Sequence, residues 1–127
     1  VNAKFLTDLE CKLIEDGWWR RTWELIAPLK YFSALAGEVI VVRAGFRTDF
    51  ASVPRLPLMW WLVGSTQQRP AVIHDWLYRG QKCTKTWSRK KCDQVFLEAM
   101  RVEGANLVHR QLMYAAVRVA GWRAYHG

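Results

Sequence analysis

Between Gly45 and Gly64 the chain runs GFRTDFASVPRLPLMWWLVG, interrupted by Pro54 and Pro57. Proline has no backbone N–H and restrains the residue before it, so the segment reads as a long connection rather than a regular element. A loop of this length inside a compact domain is uncommon unless it is functional. It also marks a change of pattern. Ahead of it, Trp19 to Ile26 alternates bulky and polar residues, and Glu38 to Arg43 is β-branched and continuous. Both predict strands, with a loop around Pro28 and Gly37 between them. Val1 to Glu15, carrying Phe5, Leu6, Leu9, Leu13 and Ile14, fits either irregular chain or strand. A small antiparallel sheet is the expected product.

Behind the connection the signals are helical. One helix is predicted from Pro70, a residue suited to the first turn, to Gly80 as its C-terminal stop. A second is predicted to follow Ser88 as N-cap and run to about Glu103, ended by Gly104. A third runs from about Leu107 to Arg123, with Val108, Leu112, Ala115, Val119 and Trp122 as its buried stripe. The expectation is one α+β domain over residues 1–127: a small N-terminal antiparallel sheet, a long loop and three C-terminal helices.

The chemistry concentrates on the first two helices. Ala71, His74, Asp75 and Tyr78 share one side of the first, being three or four positions apart. Cys92, Val95, Phe96, Ala99 and Met100 form the apolar stripe of the second, and Asp93 lies on the side of Phe96 and Met100. A carboxylate aimed at a core is costly unless paired. A short connection makes the helices antiparallel, so His74 and Tyr78 are its expected partners. A carboxylate that holds an imidazole in one tautomer leaves the other ring nitrogen as a general base. The same three residues could equally form a satisfied polar cross-link between helices. Asp75, which the helix does not require, and Asp49 in the loop shift the reading toward a site. Two carboxylates and loop carbonyls suit a hard cation such as Ca²⁺, whereas a loop aspartate alone commonly makes an Asx turn.

These residues carry two resemblances. The ordered runs GFRTDFASVPR, AVIHDWLYRG and SRKKCDQVFLEAM are similar to a domain of unknown function found in bacteriophages and prophages, over roughly Trp23 to Arg118. That similarity implies a phage or prophage origin. The helix bearing His74, Asp75, Tyr78 and Arg79, followed by one bearing Asp93, Phe96 and Met100, resembles the small prokaryotic and fungal members of the phospholipase A2 superfamily. The resemblance implies His74 as general base, Asp93 orienting it with Tyr78 nearby, and Asp75 binding calcium with Asp49 and the Phe50 carbonyl. The glycine-rich calcium loop of the animal enzymes is replaced here by TDFASVP.

Charge and composition bound the partners. The net charge of +8 attracts anions without any special site, so an anionic phospholipid surface, a phage or host protein and nucleic acid all fit. Simple solubility explains it as well. Arg20-Arg21, Arg89-Lys90-Lys91, Arg110, Arg118 and Arg123 could make a basic face, but no nucleic-acid-binding motif accompanies them. Eight tryptophans, two pairs of them adjacent (Trp18-Trp19 and Trp60-Trp61), leave some indoles for a membrane interface, a partner or a stacked ligand. Three cysteines without CxxC spacing argue against a structural zinc site. Cys83 and Cys92 could meet in an oxidising compartment, or remain reduced thiols in the cytosol. The apolar run Leu56 to Gly64 is too short to span a bilayer, and no signal peptide is visible, so host cytoplasm or the virion is the expected place.

Three functions follow. The first is a phage-encoded, phospholipase A2-like hydrolase that cleaves a membrane-lipid ester with a His-Asp pair and a bound divalent cation. The second is a non-enzymatic phage structural or accessory protein binding a virion component, a host protein or nucleic acid. The third is another metal-dependent hydrolase with His74, Asp75 and Asp49 as ligands, to which His109 and His126 could contribute.

Overall fold

The computed structural model describes residues 2–16, 21–48, 68–79 and 87–104, with helical residues 107–108, 110–112, 114–115 and 118 toward the C-terminus. Six strands come first: β1 (Lys4–Phe5), β2 (Cys11–Asp16), β3 (Arg21–Leu25), β4 (Leu29–Ser33), β5 (Glu38–Val42) and β6 (Arg47–Thr48). Among the described residues two helices with described bounds follow, α1 (Gln68–Arg79) and α2 (Arg89–Val102). The class is α+β, as its sequence pattern predicts, but the strands make two three-stranded sheets, ordered β1-β4-β5 and β2-β3-β6. Every described strand pairing is antiparallel.

Two strands are additional to the expectation. β6 (Arg47–Thr48) falls within the connection expected from Gly45 to Gly64, whose residues 49–64 lie outside the described residues. β4 lies where a loop around Pro28 and Gly37 is expected from sequence. LKYFS hides its signal because Leu29, Tyr31 and Ser33 face inward while Lys30 faces out. The period of two is there, but its third inward position is a serine. β4 pairs with β5 so that Leu29 opposes Val42 and Tyr31 opposes Ile40; all four are buried. Gly37, at φ +71°, closes the hairpin in a conformation that a side chain would strain, and its N–H donates to the Ser33 carbonyl at 2.8 Å.

Helix α1 begins two residues before Pro70, at Gln68. The proline still falls in the first turn, where a missing N–H costs no helical hydrogen bond. Val72, Ile73 and Leu77 are fully buried in a core shared with Leu25, Leu29, Tyr31, Ile40 and Val42. Each such aliphatic side chain contributes roughly 2 kcal/mol through burial. Ser88 caps α2 with its side chain accepting from Lys91 N–H at 3.1 Å, and Gly104, at φ +88°, follows its end. The inward stripe Cys92, Val95, Phe96, Ala99 and Met100 is buried.

Two clasps fix the helices to the strands. Glu98 of α2 accepts from Tyr31 Oη (2.6 Å), Ser33 Oγ (2.8 Å) and Leu35 N–H (2.8 Å). Burial, reinforced by the Glu98 hydrogen bond, pushes the Tyr31 phenol well above its ordinary pKa, so it remains a donor. Arg69 of α1 donates to both Glu103 oxygens, at 2.8 and 2.5 Å, and to the Thr7 carbonyl at 3.0 Å.

The C-terminal helical residues correct one expectation. Val108 (65%), Leu112 (43%) and Ala115 are exposed, not a buried stripe. Arg118 is the side chain that turns inward, and the row 108/112/115 lies about a quarter turn round from it. Val119 and Trp122 lie outside the described residues. Trp76 and Trp87 are buried and Trp23 half-buried; Trp18, Trp19, Trp60 and Trp61 also lie outside. Cys92 is disulfide-bonded and Cys11 is free, while Cys83 lies outside the described residues. Among the described residues, no helix is long and apolar enough to cross a membrane.

Candidate active site

Helices α1 and α2 pack directly on one another, and consecutive residues of α1 point to different neighbours. His74 faces α2. Its Nε2 lies 2.8 Å from Asp93 Oδ1, and both side chains are fully buried. Tyr78, one turn further along α1, donates its phenol to the same oxygen. The imidazole packs between aromatic rings, with Tyr78 at 4.2 Å and Phe96 at 4.6 Å between centroids. Helical phase thus brings together the His74, Tyr78 and Asp93 that sequence spacing pairs.

The second carboxylate oxygen of Asp93 is held from further along the chain. Arg118 Nη1 donates to Oδ2 at 3.0 Å, and Arg89 Nη1 lies 3.9 Å from it while donating to the Arg118 carbonyl at 2.9 Å. Burial is the largest influence on Asp93 and by itself raises its pKa. Hydrogen bonds from His74, Tyr78 and Arg118 together outweigh it and hold the carboxyl below its ordinary range. Tyr78 moves the other way: burial, then the bond to Asp93, keeps its phenol protonated. With Asp93 ionised, Nε2 is the ring nitrogen that donates to it.

Asp75, the next residue, turns toward the strands instead. Its Oδ2 accepts from Thr48 Oγ1 of β6 at 2.5 Å and from Arg79, one turn along α1. Its Oδ1 is buried and has no hydrogen-bond partner among the described residues. A buried carboxylate oxygen left open in this way has unused capacity for a proton donor or a cation. Thr48 immediately precedes Asp49 and Phe50 in the chain, and these two expected metal ligands lie outside the described residues. Among the described residues, no three or more His, Cys, Asp or Glu side chains cluster as a metal site.

Three partners escaped the sequence reading. Arg89 and Arg118 are there part of a basic face, yet both turn toward Asp93. The i, i+4 spacing of Arg89 and Asp93 was an available signal; Arg118, 25 residues away, offered none. Thr48 stood in the TDFASVP run without an assigned role.

The family model described as "Protein of unknown function (DUF1353)" matches residues 23–117. The chain therefore belongs to that family. No curated protein and no solved structure matches it.

Proposed function

We propose that this member of a family of unknown function is a phage-encoded hydrolase of phospholipase A2-like type, with His74 as general base and Asp93 orienting it. The observation that supports this most is the 2.8 Å contact between His74 Nε2 and an Asp93 carboxylate kept ionised by Tyr78 and Arg118. An imidazole so held takes a proton at Nδ1, the step that activates water against an ester carbonyl. Tyr78 orients Asp93 by donating to it and carries no proton in the reaction.

A divalent cation such as Ca²⁺ fits the open Oδ1 of Asp75 by its chemistry, since hard cations take carboxylate oxygen. Asp75 would hold it with Asp49 and the Phe50 carbonyl. Bound there, the ion supplies Lewis-acid stabilisation of the developing oxyanion. Arg79 already neutralises the other oxygen of Asp75, which lowers the charge available and favours weak cation binding. The +8 surface supports an anionic phospholipid membrane as the substrate's setting.

The test is release of fatty acid from anionic phospholipid vesicles, with and without Ca²⁺. The wild type should turn over only with Ca²⁺, and His74→Ala should abolish turnover while Asp75→Asn removes the Ca²⁺ requirement along with the activity. Full activity in His74→Ala would sink this mechanism. A second reading has its own support: His74 and Asp93 are completely buried, as in a polar cross-link of a non-enzymatic phage accessory protein. Under that reading the vesicles stay intact, and His74→Ala lowers the melting temperature.

A further inference from the structure

Away from His74, a neighbouring flank of α2 faces an open cleft. Its volume is 710 Å³, and its walls come from the β4–β5 turn, α2 and the C-terminal helical residues. That size lies within the range of about 300–1,000 Å³ typical of small-molecule sites. The walls divide by chemistry. Leu35, Leu97 and Leu107 supply an apolar side; Leu35 and Leu107 are 48% and 62% exposed. Arg101 and Arg110 supply two guanidinium groups.

The charge is not balanced within the cleft. Glu98 also lines it, but its carboxylate accepts from Tyr31, Ser33 and the Leu35 N–H and is committed to holding the hairpin. Among the described residues that line the cleft, two guanidinium ions beside one carboxylate leave one positive charge in excess. Arg110 adds a second sign, because its Nε is buried with no hydrogen-bond partner among the described residues. A guanidinium N–H withdrawn from water and left without an acceptor is costly, and the anion's contact with Arg110 is with the part of the guanidinium that lines the cleft.

We propose that this cleft binds a singly charged anionic amphiphile, its carboxylate or phosphodiester on Arg110 and Arg101 and its hydrocarbon chain on Leu35, Leu97 and Leu107. Arginine forks suit both headgroups because they offer paired donors in one plane. The volume, within the small-molecule range, favours a small molecule over a protein segment. This binding does not depend on the hydrolase reading, since the cleft contains neither His74 nor Asp75.

Isothermal titration of the full chain with decanoate, decanol and inorganic phosphate separates the contributions of headgroup and chain. Decanoate should bind at least tenfold more tightly than either of the others. Arg110→Gln and the surface variant Arg101→Gln should each weaken decanoate at least fivefold, whereas Lys12→Gln, an exposed charge on β2, should leave it unchanged. Ala34→Trp, on the exposed turn, should occlude the cleft and abolish binding even if Arg110→Gln folds poorly. Decanol binding as tightly as decanoate would overturn the proposal by removing the anion's role. Phosphate binding as tightly would overturn it by removing the chain's role. Equal losses in Lys12→Gln and Arg101→Gln would also overturn it, because net charge alone would then account for the binding. Full esterase activity in His74→Ala with decanoate binding intact leaves the proposal standing and rejects only the hydrolase reading.

Discussion

Arg118 Nη1 donates to Asp93 Oδ2 at 3.0 Å, so a residue near the C-terminus completes the charge balance of a carboxylate buried between α1 and α2. The other oxygen of Asp93 serves His74 and Tyr78. The arginine is therefore one of three donors, with His74 and Tyr78, that keep that carboxylate ionised while it orients the imidazole.

Replacing Arg118 with glutamine should destabilise the fold by about 1–2 kcal/mol, less than the 3–5 kcal/mol of a fully buried pair, because a third of the arginine side chain is exposed to screening solvent. The pH dependence has a definite sign. Asp93 has a lowered folded pKa, so its stabilising contribution is complete above the ordinary carboxylate range and is lost as pH falls through the lowered value. Without Arg118 the folded pKa rises and acid unfolding begins at higher pH. Urea titrations of both proteins between pH 7 and pH 3 measure this; superimposable acid limbs would contradict it.

Glu98 presents a comparable case on the other flank of α2. Glu98→Ala strips an acceptor from Tyr31 Oη, Ser33 Oγ and the Leu35 N–H at once. Buried donors left unpaired cost about 1–3 kcal/mol each, although Leu35 sits at the surface and regains water. A total loss of about 2–4 kcal/mol is expected by urea denaturation. Tyr31→Phe added to Glu98→Ala should cost less than it does alone, since the phenol has then already lost its acceptor.

The His74, Tyr78 and Asp93 contact was legible because all three obey helical phase, and a buried carboxylate must find a partner. Asp75 was legible as an acid out of place, but not its ties to Thr48 and Arg79, because Thr48 lies on a two-residue strand too short to show a period. The split into two sheets was hidden for a similar reason: β1 is two residues long, and the inward Ser33 of β4 blurs its alternation. Arg118 was misread because a basic residue on a late helix looks the same in sequence whether it meets solvent or a buried acid.

The exposed row on the C-terminal helical residues separates two pictures of that segment. If Val108 and Leu112 packed into a core, lysine there would cost several kcal/mol. At 65% and 43% exposure, Val108→Lys and Leu112→Lys should each stay within about 0.5 kcal/mol of wild type. Thermal melts of the single variants suffice, and a fall of more than about 5 °C, the equivalent of roughly 1 kcal/mol, would restore the buried-stripe picture.

Cys92 begins the inward stripe of α2 beside Asp93, is fully buried and is disulfide-bonded. A crosslink there restrains the unfolded chain and contributes about 2–4 kcal/mol. Reduction with a phosphine should lower the melting temperature of the wild type, and Cys92→Ala should show the lower value with or without reductant. Cys11 tests specificity: it is a free thiol, and burial raises its pKa, which makes it a poor nucleophile in disulfide exchange. Cys11→Ser should keep the full response to reductant, whereas loss of the response in that variant would assign the crosslink to the wrong cysteine.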